Sequence, residues 1–134
     1  VSASLDLRHA LLSRLLADGG VAALVGTRIY DNPPAAPVFP YLSFGSVDWS
    51  TENLDGLDAR RISLQIDAWV RSFGRLWPVM ELTDAVAQAL HAWRGEARDS
   101  AVSSLQIESV RTFMDPDGET ARGVVTVTAH LEAS

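Results

Sequence analysis

Three histidines, His9, His91 and His130, are the side chains best suited to moving protons or ligating a metal near neutral pH. Each lies in a different segment, and none has a second histidine or a cysteine at ligand spacing, so no metal site is expected. Asp115, Asp117, Gly118 and Glu119 look like a fragment of a calcium loop. The loop needs a third oxygen ligand before the glycine and a glutamate at its twelfth position, and that position is Thr126. "DPDG" is therefore expected to form a hairpin turn. Ser46 follows Gly45 but lacks the second glycine of a nucleophile elbow and stands in a stretch patterned as strand. The glycines compose no phosphate-binding fingerprint, no pattern of aromatics among basic residues suggests stacking on bases, and no carboxylate pair has a spacing that marks acid-base catalysis. No catalytic, cofactor-binding or metal-binding residue is predicted.

Composition narrows the chemistry further. Cysteine is absent, which removes disulfides, thiolate catalysis and cysteine-ligated metals. All 11 basic residues are arginine, so Schiff-base chemistry and a phosphate-loop lysine are impossible. Seventeen acids against those 11 bases leave a net charge of −6, which opposes gripping nucleic acid through its phosphates. At 134 residues and 47% hydrophobic the chain suits one folded domain, residues 1–134, with no tract apolar enough to cross a membrane. The opening "VSASLDLRHALLSRLL" has neither a basic segment ahead of an apolar one nor a small-residue cleavage site, so no secretory signal is expected.

The elements that would position any site follow from periodicity. Leu5, Leu11, Leu12, Leu15 and Leu16 predict an amphipathic helix over residues 4–17, capped by Ser2 or Ser4 and stopped by Asp18-Gly19-Gly20. "VAALVG" reads as an apolar turn or a single helical turn ending at Gly26, and residues 28–30 as a short edge strand. Four prolines from Pro33 to Pro40 then make a stiff connector, poor in backbone donors. "YLSFGSVDWS" alternates as a strand, residues 51–58 carry turn formers, and Ile62, Leu64, Ile66, Ala68 and Val70 define the clearest strand. Leu76, Val79, Met80, Thr83, Val86, Ala87, Leu90 and Trp93 trace one stripe of a long helix, with Pro78 in its first turn. "RGEARDSAVS" reads as a polar linker before two closing strands, in which Val125, Val127, Ala129 and Leu131 face in and Thr126, Thr128 and His130 face out. The predicted fold is α+β: an antiparallel sheet of about four strands with two main helices on one face, in the order helix-β-β-helix-β-β.

Two features exceed background. Asp48, Glu52, Asp55 and Asp58 place four acids and no base in what reads as a loop, followed at once by Arg60 and Arg61. A solvated turn is the plain alternative. Trp69 lies on the polar face of the best strand beside Arg61 and Gln65. That marks either a covered, interfacial surface or an indole lying flat on an open sheet.

"VAALVGTRIYDNPPAAPVFPYLSFG", then "ISLQIDAWVRSF" leading into "VMELTDAVAQAL", and the closing "RGVVTVTAHLEA" resemble the tail-completion, or tail-terminator, proteins of long-tailed bacteriophages and gene transfer agents over about residues 5–132. The bulky Trp77-Pro78 helix start departs from that pattern. The resemblance implies an α+β subunit of the virion or virus-like particle, assembled in the bacterial cytoplasm. Such subunits form a homo-hexameric ring on the tail tube, ending tube polymerisation and offering a surface to the head connector. It also implies no active site, no cofactor, and DNA passing through the lumen without specific binding. On that basis Asp48, Glu52, Asp55 and Asp58 are candidates for a lumen or partner loop. Trp69, Arg61 and Gln65 are candidates for a subunit interface, and Val38 and Phe39 for an apolar rim. The alternative is a small ligand-binding or regulatory α+β domain, which an enclosed polar pocket in a dimer would favour.

Overall fold

A computed structural model of the chain describes residues 2–54, 57–91, 95–97 and 100–133. Helix α1 spans Ala3–Ala17, and Ser2 caps it by accepting a hydrogen bond from the Leu5 amide at 3.2 Å. Asp18 ends α1 and in turn caps α2, Gly19–Val25, through the Val21 amide at 3.0 Å. The apolar segment after the glycines is thus a full short helix. Gly26 terminates it with φ 61°, a conformation suited to a residue without a Cβ.

Strands β1, Ile29–Tyr30, β2, Tyr41–Leu54, and β3, Leu57–Arg71, precede α3, Trp77–Leu90; β4, Gly95–Ala97, β5, Ser100–Met114, and β6, Thr120–Ala133, follow it. They form one six-stranded sheet in the order β1-β2-β3-β6-β5-β4. The fold is α+β, but the sheet is mixed, has six strands rather than four and carries three helices; the expected helix-β-β-helix-β-β order does not hold. Each added strand has a local cause. The proline connector brings the chain back so that β2 runs parallel to β1, pairing Ile29 with Leu42, while the Arg28 side chain donates to the Pro40 carbonyl at 2.9 Å. The stretch read as a polar linker supplies β4, because backbone pairing with Ser100–Val102 requires no apolar side chain. Residues 51–54 and 57–58, read as part of a turn, instead extend the β2–β3 hairpin to its tip, pairing Asn53 with Asp58 and Leu54 with Leu57.

The helices share one face of the sheet. Leu7, Leu11 and Leu15 of α1, Val21 and Val25 of α2, and Val79, Val86 and Leu90 of α3 meet Leu42, Ile62, Leu64, Ile66, Val125, Val127 and Ala129, all essentially inaccessible to water. Burial of each leucine, isoleucine or valine among them contributes about 1.5–3 kcal/mol. The α1 stripe is Leu7-Leu11-Leu15, so Leu5 and Leu16 are left exposed; in α3 the stripe takes in Leu82 and Ala89 and leaves Met80 half exposed. Arg14 of α1 donates to the Ala89 carbonyl at 2.9 Å, placing a cation at the negative end of α3. Gly123 of β6 sits directly under α3, where a Cβ would lie 2.4 Å from Thr83 Cγ2.

Candidate functional site

The sheet face opposite the helices carries the polar half of every long strand. Along β3, Arg61, Ser63, Gln65, Asp67 and Trp69 alternate with the core residues, and β6 sets His130, Thr128, Thr126, Val124 and Arg122 opposite them in turn. Two arrangements form at the two ends of this face.

The first is built around Trp69. Its indole N–H donates to Ser43 Oγ at 2.9 Å, and its ring stacks on Tyr41, centroids 6.0 Å apart. The Arg122 guanidinium lies 4.6 Å over the Trp69 ring and 3.3 Å from Asp67 Oδ1. Asp67 also accepts from Gln65 Nε2 at 2.9 Å and is almost wholly buried, so its charge is balanced and hydrogen-bonded. Gly45 makes this packing possible, since a Cβ there would come within 2.9 Å of Gln65 Nε2 and 3.0 Å of Asp67 Oδ2. Phe39 and Tyr30 pack on Tyr41, and Arg71 covers Phe39 at 4.6 Å. Burial, with the nearby Asp115 carboxylate, pushes the Tyr41 phenol above its ordinary range, while Arg71 acts against it.

The second arrangement sits toward the tip of the β2–β3 hairpin. Glu52 Oε2 lies 2.9 Å from His130 Nδ1, Thr128 donates to Glu108 Oε2 at 3.0 Å, and Arg61 stands 3.8 Å from Glu108. With Gln106 these side chains line an open recess of about 430 Å³. A histidine beside a carboxylate could polarise a nucleophile, but the Thr128 hydroxyl is turned to Glu108. Among the described residues no group of three or more His, Asp or Glu could hold a metal ion.

The residues singled out from sequence are distributed rather than convergent. Asp48 and Glu52 belong to strand β2, not to a loop, because Val47, Trp49 and Thr51 alternate with Asp48, Ser50 and Glu52 in register with β3. Glu52 reaches across the sheet to His130. Asp55 lies outside the described residues; Asp58 pairs through its backbone with Asn53, and its side chain lies outside them. Arg61, Gln65 and Trp69 share one face of β3, but Arg61 and Trp69 are about 26 Å apart along the strand at ~3.3 Å per residue. Val38 is 64% exposed, whereas Phe39 is half buried among Tyr41 and Arg71. Trp93 falls outside the described residues.

Sequence reasoning missed the pairing of His130 with Glu52 and the role of Arg122, both set by partners far along the chain. It also missed an apolar surface at the start of α3, where Phe73, Trp77 and Met80 are at least half exposed. Phe73 adopts φ 52°, rare for a bulky residue, while its amide bonds to the Glu119 carbonyl. The adjoining Gly74 and the Trp77-Pro78 helix start were the available signals.

Residues 9–132 match the sequence family described as "Tail completion protein gp17". No curated protein matches the chain. Among solved structures, a chain of the "Virion of native gene transfer agent (GTA) particle" is similar, with 22% identity over 95% of each chain and a TM-score of 0.86. At that identity the likeness establishes a shared fold.

Proposed function

The chain belongs to the tail completion protein family, structural proteins of phage-type tails, and from that premise we propose that six copies close into a ring that caps the tail tube. The ring stops tube polymerisation and presents a surface to the head connector, so the protein's role is geometric and needs no catalysis. Family membership across nearly the whole chain is the observation that carries this reading. The similarity to a chain of a gene transfer agent virion supports it.

Six copies at −6 each bring −36 formal charges to the ring, which lets DNA pass without adhering. The acids of the β2–β3 hairpin, Asp48, Glu52, Asp55 and Asp58, then lie toward the lumen or a neighbouring ring. Trp69, Arg61 and Gln65 belong to the surface that assembly covers, and Val38 with Phe39 forms an apolar rim.

Native mass measurement with negative-stain imaging, on the chain alone and mixed with tail tubes, tests the reading. Rings, or subunits adding to tube ends, are expected; monomers that do neither would refute it. Neutralising the four acids together should leave folding intact and alter assembly or DNA passage, and unchanged particle yield and infectivity or transduction would count against the lumen role.

A further inference from the structure

Both long outer strands of the sheet are only partly covered. β1 pairs with β2 at Leu42 and Ser43 alone, and β4 pairs with β5 only over Ser100–Val102. Among the described residues, no strand meets the outer edge of β2 from Phe44 to Leu54 or that of β5 from Ser104 to Met114. Such edges present rows of backbone donors and acceptors ready to pair with another chain. The four long strands β2, β3, β6 and β5 are antiparallel in succession. An even number of alternating strands leaves the two outer edges running in opposite directions. Copies arranged around an axis therefore bring β2 of one against β5 of the next in antiparallel orientation, without inversion.

We infer that the partner of each edge is the other edge of a second copy: β2 of one subunit joins β5 of the next head to tail, making one sheet continuous through the assembly. This deepens the ring reading and rests on it. Charge and side-chain pattern select a register. Asp48, on the polar face of β2, makes no ion pair among the described residues, and Arg111 is the cation on the polar face of the β5 edge. Setting Asp48 opposite Arg111 also sets Trp49 opposite Val110 and Val47 opposite Thr112 on the helix face. Val47, Trp49 and Val110 are 39%, 49% and 41% exposed, as expected for apolar residues on a sheet whose neighbouring strand is missing. With Glu108 bulged out, the same alignment lays Val47–Leu54 against Ser104–Thr112, so that Thr51 falls opposite Ile107 and Glu52 opposite Gln106 on matching faces. The short strands β1 and β4 then fall beyond the ends of the opposing strand and do not collide with it. The bulges near Gly45 and Glu108 lie outside the stretch pairing Val47–Ser50 with Ser109–Thr112, so regular backbone bonding is available there.

Ser50 and Ser109 face each other on the polar side in this register, and the chain has no cysteine of its own. A Ser50→Cys, Ser109→Cys variant, oxidised in the ring, should give a ladder of linked subunits up to the closed oligomer on a non-reducing gel. Each single variant should give no product beyond a dimer. Asp48→Arg or Arg111→Asp alone should raise the concentration for assembly at least about tenfold by opposing like charges, and the double swap should restore it. Rings that form without this cross-link and without rescue by the swap overturn the edge pairing while the ring reading stands. Failure of the unaltered chain to form rings or bind tube ends removes both. Circular dichroism of each variant separates misfolding from lost assembly.

Discussion

Gly123→Ala places a single methyl group where α3 meets the sheet. The added Cβ would lie 2.4 Å from Thr83 Cγ2 and 3.2 Å from Val79 Cγ2. Apolar carbons rest at about 3.5–4.0 Å, so the helix must lift by roughly 1 Å or Thr83 must leave its rotamer. Thr83 resists the second course, since it is buried and its hydroxyl donates to the Met80 carbonyl at 3.1 Å. Close-packed interiors do not absorb such a shift, and overpacking costs about 1–3 kcal/mol. Replacing glycine offsets about 0.4–1 kcal/mol of this by restricting the unfolded chain. The net expectation is a loss of about 1–2 kcal/mol, or roughly 3–8 °C in Tm for a chain of this size. Thr83→Ser removes the offending methyl and keeps the hydroxyl, with a cost of its own of about 0.5–1.5 kcal/mol. The double variant should therefore be more stable than the sum of the single changes implies, by about 1 kcal/mol. Urea unfolding followed by circular dichroism measures all four proteins. A Gly123→Ala variant within 0.5 kcal/mol of the parent, or a double variant that is merely additive, would refute the packing argument.

Asp117, in the β5–β6 turn, accepts from the Glu119 and Thr120 amides and the Thr120 hydroxyl, and these bonds hold its carboxyl below the ordinary aspartate range. A lowered folded value means the stabilisation is present above the unfolded pKa of about 3.9 and fades as pH falls through the folded value. Carboxyl NMR titration should show the depressed value, and Asp117→Asn should flatten that part of the acid unfolding curve; an Asp117 resonance titrating at the ordinary value would contradict it. Trp69→Phe removes the donor to Ser43 and part of the surface under Arg122, and should cost about 1–2 kcal/mol in urea unfolding. An unchanged midpoint would show that the indole lies there without contributing.

Legibility varied with the range of the interaction. The alternation from Ile62 to Val70 and the inward set Val125, Val127, Ala129 and Leu131 were readable because a strand's faces are assigned by neighbours two residues apart. The Ser2 cap and the "DPDG" turn were readable because their hydrogen bonds close within three residues. Met80 was misassigned because its position on α3 fits an apolar stripe, while the stripe the fold covers runs through Leu82 and Ala89 instead. Asp48 and Glu52 were misassigned because Asn53, Asp55 and Gly56 signal a turn without saying how far the strands run toward it.

Local order and excluded chemistry belong to the sequence by itself. It determined an α+β fold class, a chain without cysteine or lysine, a net charge of −6, and the pattern that marks the tail completion family. Only tertiary structure decided that β1 runs parallel to β2, that Glu52 meets His130 across 78 positions, and that two strand edges of opposite direction meet no strand among the described residues. Backbone pairing depends little on side-chain identity, so a strand's pattern announces which face it buries but not which strand lies beside it. That choice is made when the whole sheet closes over one core.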